Sequence, residues 1–179
     1  MTDFWTDKFP EKIKVKELFE EFKKKLDNYL RNKEKSISLD LAIDTIRDAI
    51  ISISSILRDF FGTSINDLIN TVVGRFDLFL ALSERKEEEI RPVAIDLASY
   101  LLVNQILFYH VYSSLTKKVP VLDEEKINSV YDLKEYFDKI ININYKAVYS
   151  VDIVSKLPDV KTIVDEIKKV IEAVKGVKA

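Results

Sequence analysis

The chain has 179 residues, of which 47% are hydrophobic and 32% charged, with a formal net charge of −2. That length suits one domain, or one domain with an arm, and it can bury a core without a disulfide or metal staple. The absence of cysteine excludes zinc ribbons, iron–sulfur clusters and thiol chemistry.

The opening "MTDFWTDKFPEK" has no basic segment followed by an apolar stretch, so a secretory signal is not expected and the cytoplasm is the default location. Phe4, Trp5 and Phe9 precede the first regular element beside basic residues and are expected to dock onto the bundle, with base stacking or a partner contact as the alternative. Val15, Leu18, Phe19, Phe22, Leu26, Tyr29 and Leu30 then recur at three- and four-residue steps. This is the apolar stripe of an amphipathic helix over about residues 11–32, with Pro10 suited to its first turn. Residues 8–35 hold ten Lys/Arg against six Asp/Glu, while the acidic excess lies in the middle of the chain. Residues 1–35 thus read as a basic helix or arm, whose ordinary role is a solvated face. The functional alternative is contact with nucleic-acid phosphates through Lys12, Lys16, Lys23, Lys24, Lys25, Arg31, Lys33 and Lys35.

Residues 36–82 read as a helical pair. Leu39, Ile43, Ile46, Ile50, Ile53, Leu57 and Phe60 are spaced 4, 3, 4, 3, 4 and 3, a heptad-like seam that predicts a helix over about 39–61. Packing within a bundle is the ordinary use of such a seam. A homodimer is the alternative, testable with Ile50→Lys. Gly62 can end this helix, and Ser64 with Asp67 fits the capping pattern of the next. Ile65, Leu68, Ile69, Val72, Val73, Phe76, Phe79 and Leu80 supply that helix with apolar residues. "SERKEEEIRP" is a charged connection, and Pro92 is expected to start or kink the next helix.

From Leu97 to Thr116 the chain has no Asp, Glu, Lys or Arg. Val93, Leu97, Leu101, Phe108 and Val111 mark one face of the predicted 92–116 helix, and Ile95, Ala98, Leu102, Ile106 and Tyr109 another. A helix apolar all round is buried in protein or lipid. Twenty residues reach the length of a membrane span, but seven of them are polar, including the central Asn104–Gln105 pair. The expectation is the central core helix of a bundle, outside any membrane, with both amides hydrogen-bonded internally.

"TKKVPVLDEEK" reads as a loop with Asp123 as a cap. Ser129 and Asp132 fit a capping box opening a helix near 131–141. Ile141 to Ile153 alternates apolar and polar residues, the pattern of a strand, but no convincing partner strand exists. Irregular chain with a short helix over about 145–155 is expected instead. Pro158 and Asp159 introduce a last helix whose Ile163, Ile167, Val170, Ile171 and Val174 face inward, ending at Gly176. The chain is therefore read as one all-α domain, a bundle of about six or seven helices around residues 92–116. Abundant Lys, Glu and Ile with little Met is compatible with a heat-adapted source.

Chemical motifs are sparse. Gly62, Gly74 and Gly176 are the only glycines, and no GxGxxG, GxxxxGKS/T or GxSxG pattern occurs. His110 is the one histidine, within an apolar helix. An enzyme built around it would need a nucleophile and an orienting carboxylate from elsewhere in the chain. No Glu-x-x-His pair supports a di-iron bundle. "EEE" at 87–89 and "DEE" at 123–125 read as solvated faces. No catalytic residue, metal ligand or cofactor is assigned.

The stretch "RPVAIDLASYLLVNQILFYHVYSSLTKKVPVLD" and the following "LKEYFDKIININY" resemble a specific family. They are similar to the helical region preceding the catalytic domain of N6-adenine DNA methyltransferases, including fused restriction–modification enzymes. Arg91, Leu101, Leu102, Asn104, Gln105, Leu107, Phe108, Tyr109, Pro120, Leu122, Leu133, Glu135, Tyr136, Phe137 and Tyr145 carry the match, which covers about residues 84–175. Asn144 stands where the pattern has Asp. The Asn/Asp-Pro-Pro-Tyr/Phe segment and glycine-rich loop of such enzymes do not occur in this sequence.

The resemblance implies a non-catalytic helical domain that scaffolds a methyltransferase catalytic domain or subunit and contributes DNA-backbone or partner contacts. In that setting Asn104, Gln105 and Tyr109 are its polar core. The alternative is a protein-interaction or oligomerisation module, including a homodimer, without DNA binding.

Overall fold

The computed structural model describes residues 39–61, 66–73, 86–141 and 146–177. The chain divides into two compact units, Met1–Asp40 and Leu41–Ala179. The expected 11–32 helix, the eight basic residues from Lys12 to Lys35, Ser64 and residues 74–82 lie outside the described residues.

Helix α1 covers residues 39–61. Only the middle of its apolar seam is covered: Ile53 and Leu57 are fully buried and Ile46 and Ile50 pack against the core, whereas Leu39, Ile43 and Phe60 are exposed. The middle of the seam is thus used within the chain. Helix α2, Asn66–Val73, turns Leu68 and Val72 inward.

Helix α3 is the 30-residue Glu87–Thr116. It begins five residues before Pro92, which sits inside it rather than starting it. Pro92 is the sixth residue of the helix, past its first turn, so its missing N–H costs one i→i−4 bond, the one to the Glu88 carbonyl. At the other end Lys117 takes a left-handed conformation, φ 55°, and its N–H returns to the Ser113 carbonyl. That closes the helix as an αL cap does.

The loop after α3 is held by short acceptors. Asp123 accepts from Glu125 N, opening a 3₁₀ turn over Glu124–Lys126, as its expected cap role requires. Asp132 Oδ2 accepts from the main-chain N–H groups of Asn128 (2.7 Å) and Ser129 (2.9 Å), while Ser129 Oγ accepts from Tyr131 N. This reciprocal arrangement opens helix α4, Asp132–Ile141, near its expected position. Leu133, Tyr136, Phe137 and Ile140 form its buried face.

One helical turn, Lys146–Tyr149, and one 3₁₀ turn, Val154–Lys156, come next, with no strand among the described residues. The period-two pattern there is satisfied by turns: Tyr149, Val151 and Ile153 are buried and Asp152 is exposed. Helix α5, Lys161–Gly176, buries Ile163, Val164, Ile167, Val170, Ile171 and Val174 against the core.

The class is all-α. The described residues hold five helices of eight residues or more, where six or seven were expected over the whole chain. Helix α3 is the central element, packing on α2, α4 and α5. Against α1 it is fixed by the buried Ser54 hydroxyl, which donates to Ser99 Oγ (3.0 Å), and by Arg58 paired with Asp96. Ser99 in turn donates to the Ile95 carbonyl, so this polar pair is satisfied where the two helices meet.

Candidate functional site

The two central amides of α3 do not share a fate. Gln105 is buried, at 1% exposure, whereas Asn104 is exposed. Successive helical residues are about 100° apart, so one of two neighbours facing the core turns the other toward the flank. The expectation that Asn104 is a core polar residue is therefore corrected, and Gln105 and Tyr109 alone fill that role.

Gln105 Nε2 donates to the main-chain oxygens of Val148 and Val151, 3.0 Å each. Those carbonyls belong to the short helix and turn expected over about 145–155, where one helical side chain supplies donors that a neighbouring strand would otherwise give. Because both neighbours are acceptors, they fix which side of the amide carries nitrogen. Its Oε1 is buried without a hydrogen-bond partner. In return Tyr149 Oη donates to the Gln105 main-chain oxygen at 2.9 Å. One turn along α3, Tyr109 Oη donates to the Pro120 carbonyl at 2.8 Å, tying α3 to the following loop.

An aromatic cluster surrounds these bonds. Tyr109 meets Tyr136 edge to face, with centroids 5.6 Å apart, and Phe137 at 6.2 Å; Phe137 lies 4.9 Å from Tyr149. Burial, with Tyr136 adding to it, pushes the Tyr109 hydroxyl up to about 12. Burial raises Tyr149 as well, reinforced by Tyr109. Both phenols stay protonated and act as donors.

Beside this lock opens a cavity of about 70 Å³ lined by Gln105, Phe137 and Tyr149, with Lys134, Asp138 and Asp152 among its other residues. That is far below the several hundred Å³ of ordinary small-molecule sites. Lys134 Nζ donates to Asp152 Oδ2 (3.0 Å) and Ser155 Oγ (3.2 Å), and Ser155 Oγ donates to Asp152 Oδ2 (2.6 Å). Burial works to raise Asp152, but hydrogen bonds from Ser155 and Lys134 prevail and lower it. The hydrogen bond to Asp152 raises Lys134. Asp152 Oδ1 also accepts from Ser155 N (3.1 Å), so the trio ties the 154–156 turn to α4.

His110 is half-buried. Burial lowers its pKa, with the positive charge of Lys175 adding to the effect, and its Nδ1 is buried without a hydrogen-bond partner. Lys175 is itself paired with Glu124, which that hydrogen bond holds below the usual carboxylate range. The Ser113 hydroxyl donates to the His110 main-chain oxygen (3.0 Å), not to its ring. Among the described residues no group of three His, Asp or Glu side chains could hold a metal ion.

The residues of the family-like pattern are largely brought together. Leu102, Gln105, Tyr109, Leu122, Leu133, Tyr136 and Phe137 lie in one core, with Pro120 contributing its carbonyl; Asn104 and Glu135 point outward, and Tyr145 is outside the described residues. Sequence reasoning missed the part of Tyr149, because its hydrogen bond to the Gln105 carbonyl joins positions far apart in the chain and leaves no local signal. It also missed an uncovered face of α3. Ile95, Ala98, Leu102, Ile106 and Tyr109 form the buried face, but Val93, Tyr100, Val111 and Leu115 are exposed, Leu115 at 78%. The helix is long and apolar enough to cross a bilayer by length and composition, and half of its most apolar window is buried in the protein. No family model, no curated protein and no solved structure matches the chain.

Proposed function

We propose that the chain is a non-catalytic helical domain of a DNA modification system of the adenine-methyltransferase, restriction–modification type. It scaffolds the methyltransferase catalytic domain or subunit and adds contacts to the DNA backbone. One observation supports the reading: the polar pattern residues are committed to internal joints, Tyr109 to the Pro120 carbonyl and the Tyr136 and Phe137 rings, and Gln105 to the carbonyls of Val148 and Val151. Side chains committed to internal joints make a rigid support rather than a reaction centre. In this reading the chemistry and any cofactor belong to the partner.

The DNA contact falls to Lys12, Lys16, Lys23, Lys24, Lys25, Arg31, Lys33 and Lys35, which would neutralise phosphates without reading bases. Titration of the full chain into duplex DNA at stepped salt tests it. The logarithm of the affinity should fall linearly with the logarithm of salt concentration. Replacing Lys23, Lys24 and Lys25 by Ala should reduce the slope by about 0.9 for each phosphate no longer neutralised. Salt-insensitive binding, or none, contradicts the DNA contact. The uncovered face of α3 favours a second reading, an interaction module without DNA affinity.

A further inference from the structure

We draw no further inference here: the strongest candidate, the exposed apolar patch that Val93, Tyr100, Val111 and Leu115 form on α3, carries nothing because nothing in the structure shows what covers it.

Discussion

Gln105 and Tyr149, 44 residues apart, hold each other's backbone: the Tyr149 hydroxyl donates to the Gln105 carbonyl, and the Gln105 amide donates to the carbonyls of Val148 and Val151 on either side of Tyr149. The exchange joins the middle of α3 to a segment with little regular structure of its own. Tyr149→Phe removes one hydrogen bond and should cost about 1 kcal/mol in urea unfolding. Gln105→Glu places a carboxylate against two carbonyl oxygens and should cost more, about 3 kcal/mol. The double variant should fall short of the sum, because both changes loosen the same joint.

Alkaline stability reports the buried phenols. Unfolded tyrosine titrates near 10. Tyr109 is raised to about 12 and Tyr149 is raised as well. The folded state therefore keeps protons that the unfolded state gives up. The contribution is fully present below about pH 10 and is lost as pH rises through the folded value. Unfolding free energy should decline above about pH 10, and Tyr109→Phe should flatten that decline. In a tyrosinate absorbance titration of the folded chain, Tyr109 and Tyr149 should ionise above the usual tyrosine value near 10.

The opposite limb belongs to His110. Its folded pKa is lowered, so between that value and the unfolded value near 6.5 the unfolded chain binds more protons. Stability is full above about 6.5 and falls as pH drops below it. Lys175→Met removes the nearby positive charge and should raise the His110 pKa, read from the one histidine in the proton NMR spectrum. His110→Gln should flatten the slope just below about pH 6.5.

Two carboxylates hold the turn into α4: Asp132 accepts from Asn128 and Ser129, and Asp159 Oδ1 accepts from Val130 N (2.8 Å). Asp132→Ala frees the N–H groups of Asn128 and Ser129 and should cost about 1–2 kcal/mol. Urea unfolding measures it, and Asp132→Asn should recover part of the loss.

Helix periodicity and caps were the legible parts of the fold. The inward residues of α5 and the Ser129–Asp132 box could be read from spacing, since both depend on local geometry. The run from Ile141 to Ile153 was half-legible: its alternation pointed to a strand, and only the lack of a partner argued otherwise. What decides it is Gln105, whose reach to Val148 and Val151 is a tertiary fact with no local sequence signal. The all-round apolar character of α3 likewise concealed which side is covered. Val93 and Leu102 are both apolar, yet one is exposed and the other fully buried. Asn104 and Gln105 looked equivalent for the same reason.

That inequality offers the most direct test of the architecture. Asn104→Ala and Gln105→Ala should be compared by urea unfolding. Asn104→Ala should leave stability within about 0.5 kcal/mol of the parent, as at other exposed sites. Gln105→Ala should cost about 2–4 kcal/mol through lost packing and two orphaned carbonyls. Equal large losses, or a loss confined to Asn104, would contradict the placement of α3 with Gln105 inside and Asn104 out.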